Sequence, residues 1–180
     1  MMSVWISNCG PQQRITLLTH LADNGVSFDS YGKCKHTLSP NSKMLYKTAW
    51  SNFNEKKLLY GSQYLFMYAA ENSISPYYVT EKVFHGLVVG SVPVYFGTRD
   101  IFDFVPDNSI IYAQDHTNLH KYLYSLAQNE TAYNSFLEWR HKPLPARITK
   151  KMSSAKKWSN ITWRRCQVCM FMRRKLNLDT

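Results

Sequence analysis

Short apolar runs alternate along this chain with segments of helical spacing. Ser3 to Ser7 and Val26 to Tyr31 read as short strands. Between them Gln12 to Asn24 carries Ile15, Leu17, Leu18 and Leu21 at helical intervals and closes on Asn24-Gly25. A polar stretch from Gly32 to Asn54, with Pro40, Asn41 and several lysines, predicts a long loop that serves a function or a partner. Glu55 to Gly61 predicts a short helix, Tyr64 to Ala70 a buried strand, Thr80 to Val89 a helix stopped by Gly90, and Val92 to Gly97 the next strand. Ser109 to Tyr112 follows as a strand, then Asn118 to Ala127 and Thr131 to Trp139 as helices. Such alternation predicts an α/β domain with a mostly parallel, Rossmann-like sheet. Ligands of these sheets bind beyond the carboxyl ends of the strands, so the residues just after each strand are the ones to read for chemistry.

Length and charge narrow the picture. A chain of 180 residues supports one domain with a real core and excludes a complete two-domain enzyme. The net charge of +10 suggests a polyanionic partner until its location is counted. Residues 1–139 hold 10 basic and 11 acidic side chains, whereas residues 140–180 hold 12 basic and one acidic. The predicted organisation is therefore a nearly neutral domain over 1–139 and a basic extension over 140–180, broken by Pro143 and Pro145. That extension lacks an aromatic-rich repeat or a recognition-helix pattern, which argues against nucleic acid as its partner. The longest apolar candidate, Val83 to Gly97, is interrupted by His85, Gly86, Gly90, Ser91 and Pro93, and the first residues lack a basic region and an apolar stretch. Neither a membrane span nor a signal peptide is expected within the chain.

Two features point to the secretory pathway. Asn129-Glu130-Thr131 and Asn160-Ile161-Thr162 are acceptor sequons for N-glycosylation. The cysteines are Cys9, Cys34, Cys166 and Cys169, the last two spaced C-x-x-C. A lone C-x-x-C leaves disulfide use and zinc binding both open, with zinc the weaker reading because a structural site takes four ligands. His116 and His120 have the spacing of helical metal ligands, but Asp115 and Asn118 beside them favour a solvated helix start. Tyr122, Tyr124 and Tyr133 read as packing residues.

The junction over residues 64–90 carries the chemistry. After the strand come Glu71-Asn72-Ser73, a turn with Pro76, and then Tyr78-Val79-Thr80-Glu81-Lys82 opening a helix. A helix N-terminus offers free N–H groups and the positive end of its dipole to an anion such as a diphosphate. Lys82 adds a point charge, Glu81 can accept two sugar hydroxyls, and Asn72 and Tyr78 offer neutral hydrogen bonds. The competing reading makes Thr80 an ordinary N-cap and Asn72-Ser73 a plain turn. No G-x-G-x-x-G loop occurs, which disfavours a dinucleotide oxidoreductase.

Tyr68-Ala69-Ala70-Glu71-Asn72-Ser73, Tyr78-Val79-Thr80-Glu81-Lys82-Val83 and Gly90-Ser91-Val92-Pro93-Val94-Tyr95-Phe96-Gly97 together resemble the donor-binding signature of the α-1,3/α-1,4-fucosyltransferases. The resemblance runs in order through nearly the whole chain. It takes in Val4 to Cys9 with Arg14, Tyr31-Gly32-Lys33-Cys34, Phe104-Val105-Pro106, Ser109-Ile110-Ile111, Tyr122-Leu123, Trp139-Arg140 and Cys166-Gln167-Val168-Cys169. Ala70, where the family usually has Phe or Leu, and the apolar Tyr64-Leu65-Phe66 are tolerable departures.

The resemblance implies the C-terminal, donor-binding half of a GT-B glycosyltransferase. It implies inverting transfer of L-fucose from GDP-fucose to N-acetylglucosamine of glycoprotein or glycolipid glycans. Arg14 and Lys82 would contact the diphosphate, and Asn72, Tyr78 and Glu81 the rest of the nucleotide sugar. No cofactor would be required, with room for stimulation by a divalent cation, and no Asp-x-Asp metal motif occurs. The acceptor domain, its catalytic base and an N-terminal Golgi membrane anchor are expected outside this chain, the whole acting on the lumenal side. Cys166 and Cys169 would then pair with acceptor-domain cysteines, and Cys9 and Cys34, which flank adjacent strands, could pair with each other if their Cα separation allows. A module that binds a nucleotide sugar or a partner without catalysis is the alternative.

Overall fold

The computed structural model describes residues 1–37, 57 and 59–151. Its centre is a five-stranded, wholly parallel sheet of β1 (Met2–Val4), β2 (Phe28–Ser30), β3 (Phe66–Ala70), β4 (Val92–Phe96) and β5 (Ile111–Tyr112), in the order β2-β1-β3-β4-β5. Parallel neighbours need crossovers: α1 (Gln12–Asp23) lies between β1 and β2 and α2 (Glu81–Val89) between β3 and β4, while α3 (Leu119–Gln128) and α4 (Glu130–Ser135) follow β5. In β3, Phe66, Tyr68 and Ala70 face a core built with Leu18, Leu21, Leu119 and Leu123 of α1 and α3. Ala69 faces a second core built with Val83 and Leu87 of α2, Tyr95 and Trp139. Because both faces are covered, β3 is buried at every residue and reads as a continuous apolar run, as central parallel strands do.

The departures from the predicted boundaries have local causes. β1 ends at Val4 because the following residues bond a turn: Tyr31 N donates to Val4 O at 2.9 Å and Cys34 N to Ile6 O at 3.0 Å. Val26 belongs to the close of α1, its N–H donating to Leu21 O at 3.0 Å, so β2 starts only at Phe28. Gly90 stops α2 in the left-handed conformation that favours glycine, with φ of 85°. The helix predicted over Thr131 to Trp139 is broken: α4 ends at Ser135 and a 3-10 turn, Glu138–His141, follows. Phe136 packs into the first core and Trp139 into the second, on opposite faces of the sheet. Residues three apart on one α-helix share a side, so reaching both cores requires the break.

Arg140 donates to Leu87 O at 3.2 Å, Arg147 donates to Val105 O at 3.0 Å and pairs with Asp107 at 2.7 Å, and Ile148 is buried. Residues 140–151 thus lie against the sheet domain. Most of the predicted loop from Gly32 to Asn54, part of the helix predicted from Glu55, and Cys166, Cys169 and Asn160 lie outside the described residues. Among the described residues no helix is long and apolar enough to cross a membrane.

The disulfide Cys9–Cys34, with Cα atoms 5.6 Å apart, ties the loop after β1 to the turn after β2. It closes 25 residues of chain. Reduction, or Cys9→Ser with Cys34→Ser, is expected to lower the unfolding free energy by about 3 kcal/mol. Urea unfolding of the oxidised and reduced chain measures this, and equal midpoints would contradict it.

Candidate functional site

The site lies at the carboxyl ends of β1 and β3, where α1 and α2 begin. Arg14, in the first turn of α1, is buried. Its Nη1 donates to Ala70 O at 3.3 Å and its Nη2 to Asn8 O, so one guanidinium ties the end of β3 to the loop after β1. Tyr68 Oη completes the joint by donating to Arg14 O at 2.7 Å. Burial lowers the Arg14 pKa, against the opposing influence of Tyr68, Glu71 and Tyr78. Among the described residues its buried Nε has no hydrogen-bond partner. Beside it opens a cleft of about 300 Å³. Pro11, Gln12, Gln13 and Arg14 line one side, and Glu71, Asn72, Ser73 and Ile74 line the other.

Glu71 is the hub that the sequence reading left without a role. It is 2% exposed and directly follows β3. Its carboxylate accepts from Thr80 N at 2.8 Å, from Thr80 Oγ1 at 2.7 and 2.9 Å, and from Lys82 Nζ at 3.0 Å. Gly97 makes room for it: a Cβ there would stand 3.0 Å from Glu71 Cγ and 2.5 Å from Tyr95 Oη. One signal could have revealed this hub, namely a carboxylate placed immediately after five fully apolar strand positions.

Glu71 also decides between the two readings of Thr80. The Thr80 hydroxyl bonds Glu71 and accepts from Lys82 Nζ at 2.7 Å, and makes no side-chain cap bond to α2. Thr80 thus gives α2 no side-chain cap; Glu81 bonds its own amide, and the amides that follow it are in the arrangement that receives an anion. Lys82 Nζ stands at that end, 3.9 Å from Glu81 Oε1. Burial alone would raise the Glu81 pKa, but Lys82, the backbone, Lys57 and His85 outweigh it and hold the carboxyl below its ordinary range.

Glu71 therefore links Arg14 and Asn72, through the shared cleft, to Lys82 and Glu81 on α2. Tyr78 is exposed and does not line the cleft; it is the last of the groups whose charge opposes the effect of burial on Arg14. The two histidines weighed as metal ligands stand apart, His116 stacking on Tyr122 at 4.1 Å and His120 lying edge-on to His20 at 5.9 Å. Asn129 caps α4, its Oδ1 accepting from Ala132 N at 3.0 Å, and its side chain is exposed.

A buried pair behind α2 was not foreseen. Lys57 Nζ lies 3.2 Å from His85 Nδ1. Burial brings Lys57 down to about 8, with Glu81 opposing and Lys82 assisting. Burial and then the Lys57 charge push His85 down to about 3, against Glu81. His85 is thus neutral in the native state, whereas in the unfolded chain it takes up a proton near pH 6.5. Its contribution to stability is complete above about pH 6.5 and is lost as pH falls toward 3, because the unfolded state then binds the extra proton. Urea midpoints measured from pH 7 to pH 4 are expected to fall less steeply in His85→Asn than in the parent, and identical slopes would contradict this.

A parallel α/β domain with a cation and an uncapped helix N-terminus at the carboxyl edge of its sheet belongs to the Rossmann-like class from which GT-B glycosyltransferases are built. The chain belongs to glycosyltransferase family 10, the fucosyltransferases, whose C-terminal family model matches residues 1–179. It is 36% identical over 121 residues to GDP-fucose protein O-fucosyltransferase 3 of Gallus gallus, covering 65% of this chain and 25% of that protein. It is 41% identical over 114 residues to alpha-(1,3)-fucosyltransferase B of Drosophila melanogaster, covering 60% of this chain and 25% of that one. The chain therefore matches about a quarter of the length of these relatives. The fold is similar to the crystal structure of an alpha1,3-fucosyltransferase with GDP-fucose, at a TM-score of 0.65 and 20% identity, covering 100% of this chain and 48% of that one.

Proposed function

We propose that this chain binds GDP-fucose for an α-1,3-fucosyltransferase that fucosylates N-acetylglucosamine of glycoprotein or glycolipid glycans. The observation that carries the reading is the convergence of Arg14, Lys82 and the uncapped start of α2 around Glu71. The diphosphate would take the α2 amides and Lys82 Nζ. Arg14 would hold the end of β3 to the loop after β1 and offer a further guanidinium N–H to the phosphate. Asn72, Tyr78 and Glu81 would bond the sugar hydroxyls and the rest of the nucleotide.

In an inverting displacement the acceptor oxygen attacks the anomeric carbon as the bond to the β-phosphate breaks. Negative charge then grows on the leaving diphosphate. A cation and a helix N-terminus already fixed at that place stabilise the transition state more than the ground state, which is the condition for catalysis. Glu71 would keep Lys82 aimed there before the donor arrives. No residue of 1–180 is assigned as the base that removes the acceptor's proton, and the role of a divalent cation is confined to stimulation. The Golgi lumen as the place of action, a membrane anchor, and glycans on Asn129 and Asn160 rest on the family and on the sequons alone.

The relatives named protein O-fucosyltransferase 3 favour a second reading of the acceptor, in which fucose goes to an oxygen of a protein. Donor and acceptor are tested separately. GDP-fucose should bind the purified chain and be displaced by GDP but not by UDP; equal displacement by UDP would sink the donor assignment. For the acceptor, the longest form of the protein expressed from its gene is offered lactosamine glycans and glycan-free folded domains. Fucose appearing only on the latter would replace the first reading with the second.

A further inference from the structure

We propose that Asp100 is a positioning residue: from the 3-10 helix Arg99–Asp103 after β4 it holds Tyr77 in a left-handed backbone conformation and so aims Tyr78 at the donor site, raising affinity for the nucleotide sugar without touching it. The proposal rests on the donor-site reading above.

Tyr77 has φ of 57°, a region that aromatic residues rarely occupy. The residue is 66% exposed, so core packing does not hold it in that conformation. Its N–H is held instead, donating to Asp100 Oδ2 at 2.7 Å. The same carboxylate oxygen accepts from Thr98 Oγ1 at 2.6 Å, and Thr98 Oγ1 in turn accepts from Asp100 N at 3.3 Å, which fixes the Asp100 rotamer. The Thr98 hydroxyl and then the Tyr77 N–H both favour the charged form and hold the Asp100 carboxyl below its ordinary range, so the clasp is intact at neutral pH.

A second, weaker tie reaches Tyr77 from the other side. Lys151 Nζ lies 6.0 Å from the Tyr77 ring and 4.4 Å from the Phe104 ring, and pairs with Asp103 at 2.7 Å. Immediately beyond Tyr77, Tyr78 N donates to Ser75 O at 3.0 Å and Val79 N to Tyr77 O at 2.9 Å. The turn is therefore rigid on both sides of one backbone torsion. Releasing φ of Tyr77 would swing everything between it and Thr80, and Tyr78 is the candidate ligand residue in that span.

The test is a double-mutant cycle on the full chain, with binding measured by calorimetry. Asp100→Ala and Tyr78→Ala are each expected to weaken GDP-fucose binding about tenfold, and the double variant is expected to be no weaker than Tyr78→Ala alone, because the first residue acts through the second. Asp100→Asn, whose amide oxygen still accepts from Tyr77 N–H, should recover most of the loss. Inorganic pyrophosphate, which would engage Arg14, Lys82 and the α2 amides but not Tyr78, should bind parent and Asp100→Ala alike; a general loss of structure would weaken both ligands. Losses that add in the double variant, an unaffected Asp100→Ala, or parallel loss of pyrophosphate binding would each overturn the clasp. A parent chain that binds neither ligand overturns the donor-site reading and the clasp with it. Binding that needs Lys82 but ignores Asp100 overturns the clasp alone.

Discussion

Replacing Glu71 with alanine is expected to lower the unfolding free energy by about 3 kcal/mol, the low end of what removing one partner of a buried ion pair costs. The low end applies because the Lys82 side chain is 20% exposed and can turn to solvent once its partner is gone, whereas that of Glu71 is fully enclosed. Alanine also strips the acceptor from Thr80 N–H and from the Thr80 hydroxyl, so the entry into α2 loses its anchor to β3. Glu71→Gln keeps an acceptor oxygen but not the charge, and its loss should be smaller, about 1 to 2 kcal/mol. Urea denaturation of the three proteins measures the series. Equal midpoints for parent and Glu71→Ala would show that the hub carries no stability.

Lys82→Ala is expected to weaken GDP binding about a hundredfold, or close to 3 kcal/mol, the upper range for a hydrogen bond between charged groups. The ammonium stands where the dipole of α2 and its uncapped amides already favour an anion, so the diphosphate loses a point charge that nothing else replaces. The same substitution leaves the Glu71 carboxylate enclosed with only Thr80 as donor, which adds local repulsion toward the incoming phosphates. Lys82→Arg retains the charge at a different reach and should lie between the two. Titration calorimetry well below the melting temperature of each variant separates affinity from stability. An unchanged GDP affinity in Lys82→Ala would remove Lys82 from the site.

Most of the scaffold was legible from local pattern. Parallel β/α alternation follows from apolar runs too short for helices and from Asn24-Gly25 and Gly90 as stops. Strand ends were less legible because they depend on distant partners, as when the turn at residues 31–34 takes the carbonyls of Val4 and Ile6. The break before Trp139 depends on which core each aromatic reaches, and helical periodicity carries no such information.

In the site, Arg14, Asn72, Tyr78, Glu81 and Lys82 were singled out by residue type and by family resemblance, and the cleft and the Glu71 hub relate Arg14, Asn72, Glu81 and Lys82 spatially. The roles of Glu71, Asp100 and the Lys57–His85 pair were not legible. Each acts across 9 to 28 positions of sequence through a contact that only the packed sheet creates. Thr80 shows the same limit from the other side. Its residue type says N-cap, but its hydroxyl is committed to a carboxylate on another element.

The most direct test of a diphosphate site at the start of α2 is a GDP titration of isotopically labelled chain followed by two-dimensional NMR. Saturable shifts are expected at the amides of Glu81, Lys82 and Val83 and at the guanidinium of Arg14, with Lys82→Ala abolishing them at the same GDP concentration. Saturable shifts confined to residues away from α1 and α2, or no shifts at all from a folded chain, would contradict it.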